Sequence, residues 1–175
     1  MAKFLTLNTH SWMEEEQESK LNQLAERILQ EKYDVICLQE VNQLVESEQV
    51  VQAPFYYAVD GAIPIHQDHY ALLLVEKLAE AGMDYYWSWA YNHIGFDIYN
   101  EGVAILSRKP LKARELLVSD VNDPSDYHTR KVLLAETELD GQLITVASCH
   151  LSWWDKGFQG EWAKFESELL QVETP

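Results

Sequence analysis

A chain of 175 residues is long enough for one ordinary domain with a real core, and 47% apolar residues argue against disorder. The net charge of −16 disfavours unselective grip on nucleic acid or on an anionic membrane, because phosphates repel it. No apolar run is long enough to span a bilayer, and the start, MAKFLTLN, is not a signal peptide. Cys37 and Cys149 both lie in apolar strand-like runs, which favours buried free thiols over a disulfide. These features predict a soluble, cytoplasmic protein.

Residues 3–9, KFLTLNT, alternate and predict a first strand ending at Asn8. An acidic patch at 14–18 suits a helix start, and Leu21, Leu24, Ala25, Ile28 and Leu29 then fall at helical spacing over 18–32. Residues 34–40 follow as a buried strand, with Val35, Ile36, Cys37 and Leu38 as its apolar run and Glu40 at its end. A strand, a helix and a strand with short links predict a βαβ unit, which brings Asn8 and Glu40 to one edge. Residues 42–67 read as a long surface connection. A helix is predicted over 68–82 and a strand over 85–91, where Tyr85, Trp87, Trp89 and Tyr91 alternate. Residues 92–99 read as a polar turn containing His93, and 101–108, EGVAILSR, as a strand with Glu101 at its entrance. Strands are predicted over 112–119, 130–139 and 142–151, the last two joined by Asp140-Gly141, a strong hairpin signal. An aromatic loop at 152–160 leads to a final helix from Trp162.

Four polar residues therefore sit at strand ends or entrances: Asn8, Glu40, Glu101 and His150. A carboxylate at such an edge can hold a hard cation such as Mg²⁺, or it can simply be solvated. The His150 imidazole can donate to a phosphate oxygen or protonate a leaving group, or it can cap its strand against backbone. Arg130, after Tyr127, His128 and Thr129, can meet a phosphate bidentately or form an ordinary surface ion pair.

The pieces LNTHSW with Asn8, YDVICLQEV with Glu40, NEGVAILSR with Glu101 and TVASCHL with His150 resemble, in this order, the endonuclease/exonuclease/phosphatase family. The resemblance runs from residue 3 to about residue 170. It implies an α/β sandwich of two mixed sheets with helices outside, and a Mg²⁺-dependent phosphoesterase, Mn²⁺ being a possible substitute. It implies that Glu40 is the metal ligand, with Asn8 beside it binding metal through water or touching phosphate. His150 would bind a phosphoryl oxygen, and Glu101 would orient that histidine.

One departure is large. The Gly-Asp-x-Asn and Ser-Asp-His motifs of the family's second half do not occur in this sequence. The expectation is that residues 1–175 form the N-terminal half of such a domain, inactive or nearly so alone. An apolar sheet face would then be left uncovered and open to self-association.

Acidity argues against a nuclease, and no polybasic stretch suggests a lipid substrate. Trp153 and Trp154 follow His150 closely, and aromatic faces beside a phosphate site can pack on a sugar ring, although they can equally be rim packing. LNTHSW, WSWAYNHIGFDIYNEGVAILSR and ASCHLSWW look similar to the bacterial group that includes maltose 6'-phosphate phosphatase. The resemblance therefore implies a small sugar phosphate as substrate, with His93 as a further pocket residue. A phosphodiesterase of the same fold and a non-catalytic binding fragment are the alternatives.

Overall fold

In the computed structural model, which describes residues 2–174, the expected strand–helix–strand unit opens the chain. Phe4–Asn8 forms β1, Gln17–Glu31 forms α1 and Val35–Leu44 forms β2, with β1 and β2 paired in parallel. The helix forms because Leu21, Ala25 and Ile28 share one face and are buried. It stops at Lys32, which turns left-handed while its N–H reaches the Ile28 carbonyl at 2.8 Å.

The second helix, α2, spans Tyr70–Glu80 and starts two residues later than its sequence suggests. His69 is its cap, accepting from the Leu72 N–H, while the Asp68 carboxylate is drawn away to accept from Leu44 N at 2.7 Å and from the Ser47 hydroxyl. Then come β3 (Tyr86–Gly95), β4 (Tyr99–Ser107), β5 (Leu111–Leu117), β6 (Lys131–Leu139) and β7 (Gln142–Ser148). Asp140 and Gly141 both adopt positive φ in the β6–β7 turn, as a tight hairpin requires. A wide helical turn at Trp154–Phe158 leads into α3, Gln159–Leu169.

The strands make two sheets, ordered β1-β2-β4-β3 and β5-β6-β7. Together with the helices they form four layers. Outermost, α1 and α2 pack Leu21, Ile28, Leu74 and Leu78 against Ile36, Leu38, Trp87 and Trp89 of the first sheet. Between the sheets lie Val35, Cys37, Val103, Ile105, Leu133 and Ala135. On the far side, Phe165 of α3 covers Val132 and Leu134. This is the α/β sandwich that the motifs imply. Every residue of β4 is buried, which explains its continuous apolar run. Cys37 and Cys149 are both free. No helix among the described residues is long and apolar enough to cross a membrane.

Two strands run further than the sequence indicates. β2 continues past Glu40 to Leu44, and β3 continues past Tyr91 to Gly95, so His93 lies in a strand rather than a turn. Both extensions are carried by bulges. Leu38 pairs with Ala104 but Val41 pairs with Gly102, so β2 holds one residue more than β4 across this step. Tyr91 pairs with Gly102 but His93 pairs with Glu101, which gives β3 an extra residue beside the same stretch of β4. A period-2 reading ends a strand where its alternation breaks, and a bulge breaks alternation without ending the strand.

Gly102 makes this double bulge possible. A β-carbon there would overlap the Ala90 carbonyl oxygen and come within 2.6 Å of the Trp89 indole nitrogen. Trp89 lies over the glycine and donates to the Val41 carbonyl at 3.2 Å, fastening β2 immediately after its bulge.

Candidate active site

The bulge in β2 sets the position of Glu40. Leu38 and Val41 both face the helix-side core, so the extra residues between them must turn outward. Glu40 does so with φ 54, a left-handed conformation that is unfavourable for a residue with a β-carbon. The strain is held by neighbours. The Thr9 hydroxyl reaches the carbonyls of Gln39 and Glu40 at 2.9 and 3.1 Å, and Ser148 of β7 donates to Leu38 O at 3.1 Å. Gln39 in turn donates to the Ser148 hydroxyl at 3.2 Å, tying the two sheets together beside the bulge.

Around Glu40 the structure gathers Asn8, His93, Glu101, Arg130 and His150 at one end of the sandwich. Asn8 donates from Nδ2 to Glu40 Oε1 at 2.7 Å, while its Oδ1 accepts from His10 N at 3.0 Å. Both amide atoms are thus engaged, and Asn8 holds the Glu40 carboxylate in place. His150, just beyond β7, brings Nε2 to 3.8 Å from the same Glu40 oxygen.

Glu101 is not at a strand entrance but is the third residue of β4, and it is buried. Its partner corrects the role implied by the motifs. The carboxylate pairs with His93 Nε2 at 3.4 Å, not with His150, because the β3 bulge swings His93 directly opposite Glu101. His93 is oriented from its other side by the Thr129 carbonyl, 3.2 Å from Nδ1. Gly95 leaves room for this pair, since a β-carbon there would lie 2.9 Å from Glu101 Oε2.

Charge distributes unevenly across this seam. Burial alone pushes the Glu101 carboxyl up, but the hydrogen bond and charge of His93, aided by His150 and Arg130, outweigh it and hold the carboxyl below its ordinary range. Burial and then the Arg130 charge hold His150 below its ordinary value, with Glu40 and Glu101 partly opposing. His150 is therefore neutral at neutral pH, able to present either a donor or an acceptor at Nε2. Arg130, immediately before β6, is half-buried. Burial lowers its pKa, and the negative charges of Glu161, Glu101 and Glu40 oppose this. Among the described residues no carboxylate lies within ion-pair distance of its guanidinium, and Nε is buried without a partner.

Trp153 and Trp154 stand apart from this cluster. They lie on the wide turn after His150, 76% and 70% exposed, and Trp154 packs on Phe158 with ring centroids 5.5 Å apart. Two cavities open away from the seam. One of about 470 Å³ opens beside α1 and α2 at Trp12, Leu44 and Tyr99, and one of about 440 Å³ lies under residues 171–174. The seam itself is open, with Asn8 exposed at its rim.

No group of three or more His, Cys, Asp or Glu among the described residues is arranged to grip a metal. The oxygen chemistry of Glu40, supported by Asn8, still suits a hard divalent ion that keeps most of its waters and needs one or two carboxylates. It does not suit zinc, which wants several nitrogen or sulfur ligands.

Comparison with known proteins gives the family and the fold. The family model described as "Endonuclease/Exonuclease/phosphatase family" matches residues 12–171. The chain belongs to that family. Its members are hydrolases of phosphoester bonds that generally use divalent metal ions. An endonuclease/exonuclease/phosphatase family protein from Leptotrichia buccalis is 31% identical, with a TM-score of 0.84 over 99% of this chain and 62% of that one. The chain thus spans less than two thirds of that relative's length. The human Nocturnin catalytic domain with bound sulfate anion shares the fold at 16% identity, TM-score 0.58, over 93% of this chain and 55% of that one. So does D. rerio TDP2 complexed with a single-strand DNA product, at 15% identity and TM-score 0.57, over 99% and 56%. None of the curated proteins compared with the chain matches it.

Two groups went unnoticed in the sequence. Asn42 is fully buried beside Glu101 with neither side-chain atom partnered, and Glu161 is a buried carboxylate on α3. Glu161 carries a readable signal, because it falls on the helix face that also holds Phe158 and Phe165. Asn42 has none, since the β2 bulge decides which face it occupies.

Proposed function

We propose that the chain is the N-terminal portion of a Mg²⁺-dependent phosphoesterase whose substrate is a small phosphorylated sugar. The observation that carries this reading is the seam, where a strained, amide-held Glu40 faces an unpaired Arg130 and a neutral His150. Glu40 would hold the cation, which supplies Lewis acidity toward a phosphoryl oxygen when bound. Arg130 binds a phosphate edge through its fork of N–H donors. His150 would donate to another phosphoryl oxygen, where charge develops as the ester breaks. Glu101 keeps His93 oriented.

The exposed Trp153 and Trp154, on the turn that follows His150, would give a sugar ring apolar faces to pack on. A net charge of −16 supports a small substrate over a nucleic acid. The groups that activate the attacking water are proposed to come from outside these 175 residues, since the chain spans 62% of the Leptotrichia protein. β1 and β7 end their sheets and expose Phe4, Leu7 and Leu143, a surface for a complementary stretch of chain or a second copy. The cytoplasm is the proposed compartment.

Mn²⁺ titration of the chain, read by water-proton relaxation, tests the metal site without requiring turnover. Glu40→Gln should weaken Mn²⁺ binding by about a hundredfold, as loss of a direct ligand exceeds loss of an outer-shell partner. Addition of a phosphorylated disaccharide should perturb the Mn²⁺ signal, and single-stranded DNA or a choline-headgroup lipid should not. Equal Mn²⁺ affinity in the variant refutes the ligand role, and preference for DNA or lipid refutes the substrate class.

A further inference from the structure

Arg130 and His150 both come from the ends of second-sheet strands, Arg130 just before β6 and His150 just after β7. Helix α3 reaches both of them, each through one serine. The Glu161 carboxylate is 5% exposed, and both of its oxygens are used. Oε2 accepts from Ser152 N and Oε1 from the Ser152 hydroxyl, each at 2.7 Å. Ser152 lies two residues after His150, at the mouth of the wide turn. Three residues along the same helix face, Lys164 donates from Nζ to Ser119 O at 3.1 Å and to Asp120 at 2.8 Å. The Ser119 hydroxyl accepts from Arg130 N at 2.8 Å. The negative charge of Glu161 is also the strongest of the carboxylate influences on the Arg130 guanidinium.

We propose that Glu161 and Lys164 are positioning residues, setting His150 through Ser152 and Arg130 through Ser119 at the phosphate end of the seam. A buried carboxylate is a costly way to fasten a loop, and a neutral side chain would fill the same space beside Phe165 more cheaply. An ionised group is warranted where it must grip a backbone N–H and a hydroxyl together and face an otherwise unpaired guanidinium. Arg130 is thereby kept in place without an ion pair that would occupy its fork.

This proposal rests on the phosphate reading of the seam, but its test needs neither ligand nor turnover. In the 175-residue chain, solvent exchange of the Arg130 Nε–H and the ring signals of His150 are followed by heteronuclear NMR. The Trp89 indole N–H serves as reference in the first sheet. Glu161→Ala should shift the His150 ring signals and speed Arg130 Nε–H exchange about tenfold, since the Ser152 bonds and the carboxylate charge facing the guanidinium are lost together. Lys164→Met should speed Arg130 exchange and leave His150 in place. Ser152→Ala, which removes only one bond, should shift His150 alone, and it keeps the test open if Glu161→Ala does not fold. Phe165→Leu lowers thermal stability through packing and should move neither signal. Wild-type signals in the Glu161 and Ser152 variants overturn the proposal, and so does the same disturbance in Phe165→Leu.

Discussion

The two sheets meet at the same seam but bring different things to it. The first supplies both carboxylates, Glu40 and Glu101, from strands enclosed by α1 and α2 on one side and the intersheet core on the other. The second supplies Arg130 and His150 from strand ends, and its outer face is covered by Phe165 and little else. Negative charge is thus mounted on the rigid side, where strain at Glu40 can be sustained, and positive or titrating groups on the lighter side. A cation and a phosphate, with opposite charges, would be gripped from opposite sheets.

Unequal support is tested most strongly at the glycines. Gly102→Ala in the first sheet drives a methyl into the Ala90 carbonyl and under the Trp89 indole, neither of which can move freely. It should cost about 3 kcal/mol or prevent folding, at the upper end of overpacking penalties. Gly141→Ala in the second sheet has φ +80 but open space around it, so it should cost only the left-handed penalty of about 1 kcal/mol. Urea unfolding midpoints measure both. Equal costs would mean that the sheets do not differ in tolerance.

The next effect is the acid sensitivity of the first sheet. His69 is wholly buried, its ring centroid 5.0 Å from Trp87 and 4.7 Å from Trp89, and burial pushes its pKa down to about 3. The folded state therefore refuses a proton that the unfolded chain accepts below about pH 6.5. This contribution to stability is intact above pH 6.5 and is lost as pH falls toward 3. Glu101, held below its ordinary value of 4.5, adds further loss as pH falls below about 4.5. His69→Asn keeps an acceptor for Leu72 N and removes the titrating ring. Its stability should be lower at neutral pH but should fall less steeply from pH 6.5 to 3. A slope as steep as the wild type's would place the acid sensitivity elsewhere.

Periodicity made most of this fold legible. α1 is readable because Leu21, Ala25 and Ile28 repeat at helical spacing, and β4 because Val103, Ala104, Ile105 and Leu106 form an unbroken apolar run. The β6–β7 hairpin was readable because Asp-Gly tolerates two positive φ values. The site was legible as a set of strand-end residues but not as a set of partners. The motifs imply Glu101 beside His150, and the fold pairs it with His93, because an extra residue in β3 cannot be seen without its pairing register. The length of β2 was missed at Glu40 for the same reason. Glu161 and Lys164 were invisible as a clamp because their serines lie 9 and 45 residues away.

The smallest effect reads the division of charge directly. Burial is the first cause of the low pKa of His150, and it survives substitution at neighbouring positions. The Arg130 charge comes second, lowering it from the same side of the seam, while Glu40 and Glu101 raise it from the other. Arg130→Gln should therefore raise the His150 midpoint, and Glu40→Gln should lower it further, as followed by the ring signals in an NMR titration of the metal-free chain. The opposite signs matter more than their size, since general loosening of the seam would admit water and raise the midpoint in both variants. If both rise, the two sheets do not hold opposite charges against His150, and the seam is a mixed polar rim rather than a site divided between them.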